Sequence, residues 1–560
     1  MYEVDTDVLI IGTGGAGLYA AIKAAERDVD VTIWDKGLVG RSGSTVGGAG
    51  VASVGKWSQA ADGPEFFFRD TVTAGSYLND QPLVRILAEE SGNRIEEMED
   101  WGLKFDREPD GDYVLDEAGG HSFPRLLAIS DRVGLQMTKV LRAQITKRDV
   151  TQFADVVATE LVTKNGRIAG ARGVDLERGE LQSVNSPSVV LATGGIGQLY
   201  PNTSNPVQCT GDGIALAYRA GARVMNMEQV QFYPSGMVDP PSLQGFILGI
   251  QEYSKLFNTE NERFMERYQP EKLESTTRDR LARAIQAELD EGRGTEHGGV
   301  FLDATELSGD EYRSFQHEME IAAERGYDLR GERVEVAPSA HYFMGGVEIN
   351  ENGETSLPGL FAAGEVSAGV QGGNRLSGNS LAGITVFGAR AGERAARYAR
   401  DLSEVKSEGK SIKGSESLTR LPGSNAGSTT PEEAKDELRD IMAEGAGVTR
   451  DEDGLNNALT ELMELKNRII EDIKVNRESL LHNYGVASYL ELDNMLTVAE
   501  LIAHSALERS ESLGAHYRED YRELNDPEVR DCIEIFIEDG ERCLERRSAV
   551  MDEMQPGEVD

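Results

Sequence analysis

The first apolar run of the chain, Thr6-Asp7-Val8-Leu9-Ile10-Ile11, predicts a short strand. Glycines follow at once in Gly12-Thr13-Gly14-Gly15-Ala16-Gly17, and then an alanine-rich helical pattern from Leu18 to Ala25. A second strand, Val29-Asp30-Val31-Thr32-Ile33-Trp34, ends at Asp35. Strand, GxGxxG turn, helix and strand in this order form the βαβ unit of a dinucleotide-binding domain. Further on, Val189-Val190-Leu191-Ala192 is an apolar strand ending in Thr193-Gly194-Gly195, and Thr210-Gly211-Asp212-Gly213 opens another helix. Near the C-terminus, Leu455, Leu459, Leu462, Met463, Ile469 and Ile470 are spaced as the packed face of an amphipathic helix. Apolar runs stay well short of the eighteen or so residues that a membrane-spanning helix needs.

Each glycine of the turn has a distinct task. Gly12 permits the tight turn, Gly14 lets the backbone approach a pyrophosphate, and Gly17 lets helix and strand pack closely. The helix N-terminus offers free N–H groups to phosphates. Asp35 stands where a carboxylate accepts hydrogen bonds from ribose hydroxyls. This unit alone leaves nicotinamide and flavin dinucleotides open. A second Gly/Ser-rich loop, Gly40-Arg41-Ser42-Gly43-Ser44-Thr45-Val46-Gly47-Gly48-Ala49-Gly50, points to a larger cofactor wrapped by backbone, as a flavin requires.

Composition narrows the picture. At 560 residues, 39% hydrophobic and with 62 glycines, the chain reads as an α/β protein of two to four domains. The formal net charge of −40 opposes binding to nucleic acid or an anionic membrane. The acids are spread along the whole chain, a pattern that resembles proteins of salt-loving cells, where salt screens the repulsion. Cys209, Cys532 and Cys543 fall short of the four thiolates of an iron–sulfur cluster. No metal site is therefore expected here, and any metal relay for electrons belongs to another polypeptide. The N-terminus enters a strand without a basic n-region or twin arginine, so the expected location is cytoplasmic, with membrane association only through a partner.

Over most of residues 5–525 the motifs resemble the succinate dehydrogenase/fumarate reductase flavoprotein family, with similarity to L-aspartate oxidase. The resemblance implies a Rossmann-like FAD-binding domain with an inserted α+β capping domain and a C-terminal helical domain. The expected division is 1–240 and 341–400 for FAD binding, 241–340 for the cap, 401–432 as linker, 433–525 as helical domain and 526–560 as an acidic tail. The FAD contacts it implies are Gly12, Gly14, Gly15, Ala16, Gly17, Asp35, Lys36, Ser42, Ser44, Thr45, Gly47, Gly48, Thr193, Gly194, Asp212, Glu365, Ser380 and Leu381. Membrane-bound relatives carry a histidine in the loop after Arg41 that bonds covalently to the flavin. Gly43 and Ser44 stand there instead, which implies FAD held without a covalent bond.

The same resemblance places a reacting site. His341 and Arg375, in His341-Tyr342-Phe343-Met344-Gly345-Gly346 and Gly373-Asn374-Arg375-Leu376-Ser377-Gly378, match substrate-carboxylate ligands. Arg278, in Thr276-Thr277-Arg278-Asp279, matches the arginine that protonates substrate. Tyr233, in Gln231-Phe232-Tyr233-Pro234, replaces a carboxylate-binding histidine. A Thr-Glu pair and a relay arginine of the family are missing from Phe246-Ile247-Leu248-Gly249-Ile250-Gln251-Glu252-Tyr253, where only Glu252 survives. His121, in Gly120-His121-Ser122-Phe123-Pro124-Arg125, and His516, in Gly514-Ala515-His516-Tyr517-Arg518, also fall in family-like segments and read equally as structural.

These residues suit hydride transfer to or from a carbon–carbon bond beside a carboxylate, in fumarate, succinate or a related enoate. Loss of the histidine and of the Thr-Glu pair points to a substrate with one carboxylate and a less charged group facing Tyr233 and Ile250. Two alternatives stay open: an oxidase similar to L-aspartate oxidase, and an electron-transfer subunit that needs a separate iron–sulfur partner.

Overall fold

The computed structural model describes residues 2–309, 312, 315–404 and 427–557. Its centre is a five-stranded parallel sheet in the order Leu360–Ala362, Ser188–Leu191, Val8–Ile11, Val31–Trp34 and Val150–Phe153. Every residue of the three middle strands is buried. That explains why these segments read as continuous apolar runs: a parallel sheet is covered on both faces. Helix Gly15–Ala25 packs between the sheet and the long helix Asn379–Glu404. The two helices meet backbone to backbone, since a Cβ on Gly388 or Gly392 would lie 2.7 or 2.2 Å from the carbonyl oxygens of Ala16 and Ala20.

The cap is built on two long strands, Val230–Met237 and Val334–Phe343, paired antiparallel from Val230↔Phe343 to Met237↔Val336. Strands Val300–Asp303 and Lys255–Phe257 extend the same sheet, and helix Arg278–Asp290 packs on it. The cap has its own core, in which Met237, Leu248, Ile250, Leu256, Leu281 and Val336 are buried. The expected border at 340/341 falls inside a strand, because this sheet runs unbroken from the nucleotide domain into the cap.

Helices Pro431–Ala446, Glu452–Asp472 and Tyr484–Glu508 form the C-terminal bundle. The first starts on a capping box in which Thr430 and Glu433 exchange hydrogen bonds. On Glu452–Asp472 the buried stripe is Leu455, Ala458, Leu462, Leu465 and Ile469. Met463 and Ile470, expected on that face, are 57% and 69% exposed; each follows a buried position by one residue, about 100° around the helix. Residues 405–426, most of the expected linker, lie outside the described residues. The stretch expected as an acidic tail is folded: Asp531–Glu538 and Glu541–Ser548 pair as a hairpin, and the first strand joins Val224–Met225. Cys532, Ile533, Ile535 and Phe536 are buried on both faces of its first strand, a signal hidden by the acids between and after them. Among the described residues no helix is long and apolar enough to cross a membrane.

One buried ion pair ties these units together. Glu228, just before the first cap strand, is fully buried; it receives Arg509 Nε at 2.7 Å and the hydroxyl of Ser505 from the end of the helical bundle. Glu228→Ala leaves the buried Arg509 with only the longer 3.2 Å pair to Glu511, for which a loss of up to about 3–5 kcal/mol is expected. Urea unfolding in high salt reads that loss, and Glu228→Gln, which keeps the volume, is expected to lose less.

Candidate active site

The glycine turn is enforced by contact. Gly12 has φ +95°, and a Cβ there would lie 2.4 Å from Ala192 O. A Cβ on Gly17 would lie 1.9 Å from Gly12 O. Beyond the turn the space opens: Gly14, Gly43 and Gly47 have nothing within 3.5 Å of an added Cβ. The Gly15 amide donates to Thr45 Oγ1 at 3.0 Å, which draws the second loop over the helix N-terminus. A Cβ on Gly48 would lie 2.8 Å from Leu381 Cδ1, which places Leu381 against the same loop. Helix Gly15–Ala25 begins at this opening with Gly15, Ala16 and Gly17.

Other expected cofactor residues are engaged with protein. Asp35 accepts from the Thr13 amide at 2.8 Å, the Thr13 hydroxyl, the Gly37 amide at 2.8 Å and Ser42 Oγ at 2.9 Å. Both of its oxygens therefore hold the loop, and a ribose would have to share them. Lys36 Nζ donates to Thr210 Oγ1, Asp212 Oδ2 and Glu491 Oε1 at 2.6–2.7 Å, and Asn494 donates to Asp212 Oδ1 at 2.8 Å. Lys36 and Asp212 thus bind each other and the helical domain. Ser44 Oγ lies 3.3 Å from Cys209 Sγ.

On the far side of the opening, Thr193 Oγ1 is buried with no partner, next to Gly194 at φ +77°. A Cβ on Gly195 would lie 2.2 Å from Glu365 Oε1. Glu365 is buried and accepts the Phe343 amide at 3.0 Å. Burial pushes its carboxyl up to about 7. An orphaned hydroxyl, an open glycine cradle and a helix N-terminus fit a dinucleotide.

Next to this opening the structure gathers Tyr233, Arg278, His341 and Arg375. Arg375 is buried; its Nε and Nη2 donate to Gln231 Oε1 at 3.3 and 3.1 Å, and its Nη1 to Ser380 Oγ at 3.3 Å. Gln231 returns a hydrogen bond to Arg375 O at 2.9 Å, and the guanidinium lies 4.6 Å above the Tyr342 ring. Burial lowers the Arg375 pKa to about 10, and the group stays charged at neutral pH. His341 Nδ1 shares a 2.9 Å hydrogen bond with Ser204 Oγ. Burial first, then Arg375 and Arg278, hold its pKa well below the ordinary histidine value, so the ring is neutral at pH 7. Tyr233 meets His341 edge to face at 5.4 Å, and Arg278 lies 4.7 Å over the Tyr233 ring. Arg278 is the first residue of helix Arg278–Asp290, so the cap itself delivers it to the site.

The altered cap loop does not take the position expected of it. Ile250 is fully buried in the cap core, so it does not face a substrate. The Gly249 and Ile250 amides donate to Glu318 at 2.9 and 3.3 Å, which holds the loop to a cap helix. The backbone of Glu252 lies in the short helical turn Gly249–Tyr253, and its side chain lies outside the described residues. Gln231 and Ser204, which order Arg375 and His341, were missed. Gln231 stands two positions before Tyr233, a spacing that signals one strand face; Ser204 carries no local signal.

Known proteins match along the whole length. An FAD binding domain matches residues 7–381, and the fumarate reductase flavoprotein C-terminal domain matches residues 435–559. A fumarate reductase (CoM/CoB) subunit of Methanothermobacter marburgensis is 42% identical over 534 residues, 93% of this chain and 95% of its own. The fumarate reductase flavoprotein subunit of Haemophilus influenzae is 31% identical over 99% of this chain and 96% of its own. Among solved structures, the Mycobacterium smegmatis Sdh1 complex superposes with TM-score 0.87 at 34% identity, over 98% of this chain and 94% of that one. A quinol fumarate reductase chain of E. coli gives 0.89 at 30% identity, over 99% and 98%. The chain belongs to the succinate dehydrogenase/fumarate reductase flavoprotein family.

This flavoprotein therefore has FAD-binding, capping and helical C-terminal domains, and is an FAD-dependent oxidoreductase acting on CH–CH groups. The family match reaches residue 559, so the C-terminal hairpin, expected from sequence as an acidic tail, lies within it.

Glu365 gives a pH signature in the flavin-free protein. Its folded pKa, about 7, exceeds the 4.5 of a free carboxyl. Between those values the unfolded chain has released a proton that the folded one keeps, so this group makes stability fall as pH rises. Thermal melts from pH 4.5 to 8 are expected to show that fall in the wild type and a weaker one in Glu365→Gln.

Proposed function

We propose that this flavoprotein moves hydride between FAD and a carbon–carbon bond beside a carboxylate, in fumarate or a related enoate. The observation that carries this reading is the pair of guanidinium groups, Arg278 over the Tyr233 ring and Arg375 over the Tyr342 ring, whose charges both act on His341 next to the glycine cradle. FAD, when bound, supplies the hydride carrier. Its phosphates would lie on the turn Gly12, Gly14, Gly15, Ala16 and Gly17, under Thr45, Gly47 and Gly48. Thr193, Gly194 and Glu365 would meet the far part of the cofactor, with Ser380 and Leu381 opening a helix toward it. Lys36, Asp35, Ser42 and Asp212 would hold these walls in place.

The residues then divide the work. Arg375, fixed by Gln231 on its Nε–Nη2 edge, would offer its remaining N–H groups to a carboxylate. His341 is neutral and donates one more bond without adding charge. These donors stabilise the negative charge that develops beside the carboxylate when the neighbouring carbon accepts hydride. Arg278 delivers the proton to the other carbon, and the cap excludes water around it. Tyr233 offers one hydroxyl where a cation would suit a second carboxylate, which favours an enoate whose far end is weakly charged. Glu252 is the remaining carboxyl in the altered loop. Relatives are subunits of larger enzymes, and an iron–sulfur partner would supply the electrons that this chain's three cysteines cannot carry.

With no histidine among Ser42, Gly43, Ser44 and Thr45, the FAD would be held without a covalent bond. Acid precipitation of the purified protein is expected to leave the yellow flavin in the supernatant; flavin retained in the pellet would refute this. Substrate and acid are read by photoreducing the flavin and following its anaerobic reoxidation by fumarate and a panel of enoates. Arg278→Gln is expected to slow turnover about 10²–10⁴-fold while dithionite still reduces the flavin. Arg375→Met is expected to raise KM sharply as well. Unchanged turnover in both variants would place the chemistry elsewhere.

A further inference from the structure

His121 has no part in the reactions above, yet it lies under the segment that carries Arg375. Its loop can lie there because Gly120, at φ +89°, has no side chain; a Cβ would sit 2.5 Å from Leu376 Cδ2. His121 Nε2 lies 2.9 Å from the carbonyl oxygen of Ser377. A carbonyl only accepts, so Nε2 carries the hydrogen and Nδ1 is a bare lone pair. That Nδ1 is buried and has no partner in the protein. Unpaired buried acceptors are uncommon and call for an explanation.

The surroundings supply one. The groups facing the ring are the Ser377 carbonyl, the Phe67 ring at 6.2 Å, and the charges of Arg125, Asp70 and Arg278. Burial is the largest influence; with Arg125 and Arg278 it outweighs the Ser377 carbonyl and Asp70 and lowers the pKa, so the ring rests neutral. The chain on either side of His121 lines a cavity of about 370 Å³, bounded by Phe66, Arg69, Asp70, Thr73, Gly120 and Ser122. Asp70 stands in its wall, accepting the Ser122 amide at 2.8 Å and pairing with Arg125 at 3.0 Å. His121 thus lies beside the wall of a surface cavity, and the charge of Arg278 reaches its ring.

An arginine that has given a proton to carbon is a neutral guanidine, and must be recharged before the next turnover. A guanidine is a strong base, so recharging is downhill, but the proton has to be brought into a closed, dry site. Imidazole, which titrates near neutral pH, suits that task. We propose that His121 returns the proton to Arg278 between turnovers, drawing it from the cavity beside Ser122. Nδ1 takes a solvent proton and becomes imidazolium; the Nδ1–H bond then breaks as the proton moves to the neutral guanidine. One proton enters from solvent for each one placed on carbon, and no electrons move. His121 acts through Arg278 and touches no substrate. The proposal rests on Arg278 being the acid.

The test compares a single turnover with many. His121→Gln keeps an N–H for Ser377 O but cannot carry a proton. In the flavin-loaded enzyme, the first reoxidation by enoate draws on an Arg278 already charged, and is expected to run at the wild-type rate. Steady-state turnover with reduced methyl viologen is expected to fall about 100-fold at unchanged KM, with partial rescue by added imidazole. Equal loss in both regimes, a change in KM alone, or no change would overturn the relay, as would a steady-state loss confined to Glu252→Gln. Turnover retained by Arg278→Gln would instead overturn the assignment of the acid. A readout independent of activity is the titration of His121 by NMR on ¹⁵N-histidine-labelled holoprotein. Arg278→Gln is expected to raise its pKa, and an unmoved titration would refute the coupling.

Discussion

The antiparallel pairing of Val230–Met237 with Val334–Phe343 is the contact on which the rest of the site depends. Gln231 and Tyr233 stand on one strand, His341 and Tyr342 on the other, and Phe343 donates its amide to Glu365. The ladder is irregular where it matters: its register shifts between Gln231 and Phe232, and again between Tyr233 and Gly236. Such irregularities bend the strand and locally re-aim side chains. The same two strands leave the nucleotide domain and become the spine of the cap. The residues proposed to order a substrate, and Arg278, proposed to close over it, are thus referenced to one rigid element.

Burial does the electrostatic work. Removing Arg375, His341 and Glu365 from water penalises each charged form, and the outcome differs because their partners differ. Arg375 keeps its charge against Gln231 and the Tyr342 face, His341 stays neutral between two cations, and Glu365 is poised near neutrality. The proposed site, with two guanidinium groups inside a chain of net charge −40, would be an anion receptor in an acidic shell. Salt shortens the reach of that shell to a few ångströms near 1 M, while buried donors are screened far less. Salt would therefore ease the approach of an anionic substrate.

Much of the architecture was legible because it rests on local rules. The apolar runs Val8–Ile11, Val31–Trp34 and Ser188–Leu191 could only be doubly buried strands, and Gly12 and Gly17 could only mark a turn of close backbone contact. Arg278, His341, Arg375 and Tyr233 were named from their motifs, and the fold brings them together. The hairpin at 531–548 was missed because acids mask its buried residues, and Met463 and Ile470 were misplaced because a stripe one residue too wide still looks helical.

What the sequence determined by itself was the kind of protein: strand–glycine–helix units that bind a dinucleotide, and cationic residues in recognisable surroundings. Those properties follow from period, turn chemistry and residue type, which act over a few positions. Only the tertiary structure decided what each polar group is doing. It turned Asp35 and Lys36 toward protein partners, sent Ile250 into the cap core, and left His121 Nδ1 and Thr193 Oγ1 unpaired. Hydrogen-bond saturation and burial depend on groups hundreds of residues apart, and no local pattern in the chain encodes them.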